Sequence, residues 1–155
     1  MAEESISLSE SELTLIRELT VSGVEFIIVG MSAALLQGVP AVTQDIDLWI
    51  KDLGSESFLS AIKKAGAIYI PPGLVDLNPP LLVGRDLRGL DLVTNCQGLN
   101  DFDLELKNAI KIRIRDIEVN VLPLERIILS KETAGRDKDL AVLPILKSAL
   151  KVLRS

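Results

Sequence analysis

The sequence predicts an α+β fold in which helices pack on a small mixed β-sheet. Three observations carry that expectation. Short apolar, β-branched runs alternate with amphipathic stretches in the order α-β-α-β-α-β-α-β-β-α-α, which is not the strict alternation of a doubly wound parallel sheet. The 155 residues are 48% apolar and 25% charged, enough for a real core and too apolar for disorder. Aromatic residues make up only 3%, so that core has to be built from Leu, Ile, Val and Ala. Residues 1–155 are expected to form a single domain, with 124–155 as terminal helices.

Each element has a local reason. Leu13, Ile16, Leu19 and Thr20 follow a Ser/Glu-rich start at helical spacing, and Gly23 ends that opening helix. Phe26-Ile27-Ile28-Val29 is a fully apolar run, read as a buried strand that stops at Gly30. A short helix is expected from Ser32 to Gln37, closed by Gly38 and Pro40. Residues 45–50 alternate in part and suit a strand, and Ser55 then caps a helix that runs to Ala65 before Gly66. Ile70 to Leu82 carries four prolines and reads as an extended loop. Leu90 to Thr94 is a strand and Asn100 to Asn108 a helix. Ile110–Ile114 and Ile117–Leu122 form a hairpin around Arg115-Asp116. Pro123 stops it, and two amphipathic helices, Leu124–Ala134 and Lys138–Leu153, break at Gly135.

The inventory of reactive groups excludes whole classes of chemistry. The chain has no histidine and one cysteine, so it can build no Ser-His-Asp triad, Cys-His dyad, zinc finger or His-bound transition metal. Cys96 has no partner for an internal disulfide and no histidine to activate it as a nucleophile. What is left is carboxylates, hydroxyls, Lys, Arg and hard, oxygen-bound cations. A net charge of −5 weighs against binding long nucleic acid by bulk charge, while leaving room for a local basic groove. The acidic, polar start is unlike a targeting peptide, and the richest apolar stretch is about half the roughly 20 residues of a membrane span. A cytoplasmic protein without a membrane partner is therefore expected. The mean hydropathy of +0.34 is high for a small soluble domain, so some apolar surface is expected to meet a partner.

Asp-x-Asp occurs three times, at Asp45/Asp47, Asp101/Asp103 and Asp137/Asp139. In a strand, residues i and i+2 share a face, so Asp45 and Asp47 converge. In a helix the same spacing turns side chains about 200° apart. Asp101/Asp103 and Asp137/Asp139 are accordingly read as helix-start charges or a solvated face. The strand pair is either the polar face of an edge strand or a magnesium site for a nucleoside triphosphate. A third carboxylate would complete such a site. Asp91 sits in the apolar run Leu90-Asp91-Leu92-Val93, where a lone charge is costly, whereas Glu118 shares a wet hairpin face with Asn120. Asp91 is the choice. The Val29-Gly30-Met31-Ser32 turn, from strand into helix, offers backbone N–H groups and the Ser32 hydroxyl to an anion.

These residues resemble the nucleotidyltransferase superfamily, with its polymerase-β-like fold, in minimal form. The resemblance lies in Val29-Gly30, in Thr43-Gln44-Asp45-Ile46-Asp47-Leu48, in Asp91 on a later strand, and in a tail that reads Leu124-Glu125-Arg126-Ile127-Ile128-Leu129-Ser130-Lys131 and Ala134-Gly135-Arg136-Asp137-Lys138-Asp139. It extends over roughly residues 24 to 146. Met31 stands where many members have Gly or Ser, with Ser32 one place later. The resemblance implies transfer of an NMP from an NTP to an acceptor hydroxyl, with release of pyrophosphate. Asp45, Asp47 and Asp91 would serve as catalytic residues holding Mg2+ or Mn2+. Gly30, Ser32, Thr43, Lys131, Arg136 and Lys138 would bind the nucleotide; one or two of Lys131, Arg136 and Lys138 would reach the triphosphate or the acceptor, and Arg85 and Arg88, just before Asp91, are further candidates of the same kind. Lys131 and Arg136 have a second reading as surface ion pairs with Glu132, Asp137 and Asp139. The acceptor could be RNA, a protein or a small molecule, within a toxin–antitoxin-type system among others, and a homodimer mate or partner protein could complete its site. The alternative is a catalytically silent nucleotide-binding or scaffold module of the same fold.

Overall fold

A computed structural model describes residues 8–43, 45–73 and 80–155. The apolar run at 26–29 decides where everything else goes. Strand β1 (Phe26–Val29) is buried at every position; its backbone groups, cut off from water, need strands on both edges, and its side chains, worth about 1.5–3 kcal/mol each when buried, need cover on both faces. It receives β2 (Ile46–Ile50) antiparallel on one side and β7 (Ile117–Val121) parallel on the other. Beyond them lie β5 (Leu90–Val93), parallel to β2, and β6 (Ile110–Ile114), antiparallel to β7. The order β5-β2-β1-β7-β6 is the mixed sheet that the sequence predicts.

The helices follow their local signals. Helix α1 (Glu10–Val21) starts at Ser9, whose hydroxyl accepts the Glu12 N–H while the Glu12 carboxylate accepts the Ser9 N–H. Leu13, Leu15, Ile16 and Leu19 form its buried stripe, while Thr20 turns to solvent and donates its hydroxyl to the Ile16 carbonyl. Helix α2 (Gly30–Leu36) begins two residues earlier than the sequence suggests. Helix α3 (Glu56–Lys64) is capped by Ser55, and α4 (Phe102–Asn108) by Asp101, whose carboxylate accepts the Leu104 N–H. Helix α5 (Leu124–Ala134) ends at Gly135 in the left-handed conformation that glycine adopts without penalty. Helix α6 (Asp137–Arg154) then runs back, with Pro144 inside it.

One stretch departs from expectation. Part of the proline-rich span from Ile70 to Leu82, residues 74–79, lies outside the described residues. Its ends are not loop: β3 (Ile68–Ile70) and β4 (Leu81–Val83) pair antiparallel as a separate two-stranded ribbon. Tyr69 anchors the ribbon by packing edge-on against Phe58 of α3, with ring centroids 5.2 Å apart. Each strand is only three residues long, and Ile68, Ile70, Leu81 and Val83 remain exposed. Among the described residues, no helix is long and apolar enough to cross a membrane.

Candidate active site

The carboxylates are brought together by strand register. Asp47 pairs with Val29 on one side and with Asp91 on the other, because β2 and β5 run parallel with Asp47 opposite Asp91. Residues directly opposite on adjacent strands project from the same face, so these two acids, from distant parts of the chain, become neighbours. Asp45 lies just ahead of β2 and is exposed, as is Asp91, while Asp47 is half-buried. Trp49, on the same face of β2, is covered by Phe102 of α4 at a centroid distance of 5.3 Å. The face is thus closed beyond the acids and open around them.

Electrostatics agree with the register. Burial pushes the Asp47 carboxyl up to about 6, the facing Asp91 and then Asp45 add to the rise, and Lys131 and Lys138 oppose it. Asp91 is raised too, by burial and by Asp45. The acids repel one another, a cost that a cation would remove. Every donor here is a hard carboxylate oxygen, the kind that magnesium prefers. Among the described residues, however, no three His, Cys, Asp or Glu side chains stand close enough to form a finished ligand set. Neither the Asp45 nor the Asp91 carboxylate takes a hydrogen bond from the described residues, so both are free to turn toward Asp47.

Gly30 has two reasons to be glycine. Its φ is +65°, and a Cβ there would be driven into the Asp47 carboxylate. The chain turns from β1 into α2 against the side chain of Asp47, and only a bare backbone fits. Ser32 corrects the sequence reading. It is fully buried, its one O–H donates to the Val29 carbonyl at 2.8 Å, and its oxygen accepts the Asp47 N–H at 3.2 Å. No donor remains for a phosphate, and α2 has only seven residues. Ser32 instead positions the Asp47 backbone. Thr43 does the same for Asp45, its hydroxyl lying 3.3 Å from both the N and the O of that residue.

A cleft of about 230 Å³ opens beside the acids. Gly30 and Asp47 line it from the sheet, Asn95 and Gln97 from the segment after β5, and Lys131 and Arg136 from the end of α5. Cys96 lines it too, but burial, Asp47 and Glu105 push its thiol up to about 12, so it is no nucleophile. Lys131 and Arg136 are held there by Asp139, the expected ion pairs, and Asp139 is a helix-start acid in the first turn of α6, as its position suggests. What differs from expectation is its setting: Asp139 is not on a solvated surface but fully buried, with Lys131 Nζ at 3.2 Å, Arg136 Nε at 2.6 Å and the Arg136 backbone N–H donating at 3.2 Å. These bonds, that to Arg136 above all, pull the Asp139 carboxyl down to about 2. Glu132 pairs with Lys147 instead. Lys138 is exposed and reaches Asp47 through its field.

Three positioning residues escape sequence reasoning. Gln37 at the end of α2 donates its amide to the Ala33 and Leu122 carbonyls and accepts the Leu124 N–H, fastening α2 to the start of α5. Glu105 of α4 is buried and holds Arg126 of α5 by two bonds, at 3.0 and 2.6 Å. Glu12 bridges α1 to the approach of β5 by accepting the Gly89 N–H at 2.7 Å. None carries a sequence signal for its role, because the partner that links it to another element lies 21 to 87 residues away.

A mixed five-stranded sheet with helices packed on it is consistent with a nucleotidyltransferase fold. The chain belongs to the family described as nucleotidyl transferase of unknown function (DUF2204), whose sequence model matches residues 9–154. Comparison with curated proteins finds no match, and neither does comparison with solved structures.

Proposed function

We propose that the protein transfers an NMP from an NTP to an acceptor hydroxyl and releases pyrophosphate in a magnesium-dependent reaction. The observation that carries this reading is the Asp47–Asp91 register beside a turn that Asp47 forces to be glycine, facing Lys131 across the cleft. Asp45, Asp47 and Asp91 would hold the metal, the two exposed acids turning inward to do so. Bound there, magnesium would neutralise phosphate charge and polarise the α-phosphoryl group. Lys131 and Lys138 would supply positive charge on the triphosphate side, and Arg136, anchored by Asp139, would border it. Asp91 would accept the proton of the acceptor hydroxyl as its oxygen bonds to the α-phosphorus. The bond from the α-phosphorus to the bridging oxygen then breaks, and pyrophosphate leaves.

The test is pyrophosphate release and label transfer from each NTP with magnesium, comparing the parent with Asp47→Asn and Asp91→Asn. Turnover in the parent and its loss in both variants is expected; equal turnover in all three refutes the assignment. The second reading, a silent nucleotide-binding module, is favoured by the Ser32 donor being engaged and by the acids not being gathered into a ligand set. It requires binding of the NTP–magnesium complex without pyrophosphate.

A further inference from the structure

The β3–β4 ribbon has one face on the core and one that is apolar and open. Strand alternation puts Tyr69 and Leu82 on the inner face, where both are half-buried against the core and Tyr69 meets Phe58. The outer face carries Ile68, Ile70, Leu81 and Val83. Ile68 stands opposite Val83 and Ile70 opposite Leu81, so the four side chains form two cross-strand pairs in a single patch. Ile68 is 64% exposed, and the other three are between 45% and 47% exposed. Together they show on the order of 400 Å² of side chain, a size at which an apolar patch on a small domain marks a contact site. No element among the described residues covers this face.

Two strands of three residues make a marginal ribbon when only one face is covered. The four outer side chains carry no charge and no hydrogen-bonding group, so they offer nothing that selects a nucleic acid, a charged peptide or a polar metabolite. Nor is a two-stranded face the hollow that encloses a small ligand. What it matches is another face of its own kind. Turned about a two-fold axis, a second ribbon lays its Ile68–Val83 and Ile70–Leu81 pairs on these, and the two faces pack about 10 Å apart as a four-stranded sandwich. Such a contact buries both patches at once and leaves neither exposed. The area suffices as well. A standard interface covers about 800 Å² on each partner, a little over half of it apolar, and the patch supplies most of that apolar part. We propose that the chain forms a homodimer in which two β3–β4 ribbons pack face to face through Ile68, Ile70, Leu81 and Val83. The high mean hydropathy of the chain is then accounted for in part by this face. The inference stands apart from the reaction assigned to the acids, because none of the four residues lines the cleft beside them.

The experiment is sedimentation velocity of the whole chain, without nucleotide or metal, from about 1 to 100 µM, the weak end of the range for an interface of this size. The parent should pass from 16.9 kDa to twice that mass as concentration rises. Ile68→Glu and Val83→Glu each bring an unpaired charge from both copies into the contact, and each should weaken association about tenfold or more. Ile68→Thr/Val83→Thr keeps β-branched side chains directly opposite each other, so the ribbon persists while apolar area is lost. It too should weaken association about tenfold, and with circular dichroism matching the parent it decides the matter if the Glu variants fail to fold. Val152→Glu, at an exposed apolar position near the end of α6, should dimerise as the parent does. The proposal is overturned if the parent stays monomeric at the highest concentration or if the Thr variant associates like the parent. Loss of the dimer in Val152→Glu would place the contact on α6, and growth of the parent beyond a dimer would mean a contact that does not close; either result overturns it as well.

Discussion

Gly30 and Asp47 are each shaped by the other. Gly30→Ala adds a Cβ where the Asp47 carboxylate stands and strains a φ of +65°, so it should lose about 1–3 kcal/mol in urea unfolding and weaken nucleotide binding as Asp47 is displaced. Asp47 itself has a folded-state value of about 6 against an ordinary 3.8. Its protonated form is favoured by folding, so the stability it contributes is present below the ordinary value and is lost as pH rises through about 4 to 6. With chelator present, Asp47→Asn should therefore be more stable than the parent at pH 7, by up to about 3 kcal/mol before solvent screening reduces it. The two should converge near pH 4. A variant less stable than the parent at pH 7 would mean that Asp47 is compensated in the folded protein.

At the scale of elements, the α5–α6 junction depends on one buried acid. Asp139→Asn removes the charge that holds Lys131 and Arg136, and breaking such a pair from one side typically costs about 3–5 kcal/mol. Its carboxyl is held down near 2, so the stability it brings is present above the ordinary value and disappears as pH falls from about 4 toward 2. Asp101→Asn/Asp103→Asn is the control at the other helix-start pair. Asp101 caps α4 and Asp103 meets exposed Lys51 at 2.9 Å, so this loss should be smaller, about 0.3–1 kcal/mol per charge, with nucleotide binding unchanged. Thermal melts of the two variants side by side decide the matter. If they lose equally, the buried junction has no special weight.

For the whole molecule, binding at the acids should register as stability. A metal that binds only the folded state at one hundred times its Kd raises stability by about 2.7 kcal/mol. Added magnesium should raise Tm more at pH 7.5 than at pH 5, where a proton competes for Asp47, and Asp47→Asn should abolish the rise. A shift that persists in the variant would locate the metal elsewhere.

Patterns that close within a few residues could be read directly from the chain. The apolar run at 26–29 had to be a central strand, the hairpin at 110–121 alternated around a two-residue turn, and Ser55 and Gly135 marked helix ends. The strand period put Asp45 and Asp47 forward over the other two Asp-x-Asp pairs, although Asp45 falls just ahead of the strand, and Asp91 was put forward on a burial cost that the structure does not impose, since its side chain is exposed on the outermost strand. The missing histidines excluded most other chemistry. Tertiary structure decided what depends on partners far along the chain. It set Asp91 opposite Asp47 through β-sheet register, turned the Ser32 hydroxyl inward to Asp47, and buried Asp139 between Lys131 and Arg136. It also made a ribbon from three-residue strands around a proline-rich span, too short to show a period and held by Phe58 of another element. The physical reason is one of range. Backbone propensity and side-chain period act over a few residues and leave their mark in composition, whereas the direction a polar side chain takes depends on which distant donor or acceptor is left unsatisfied once the core has closed.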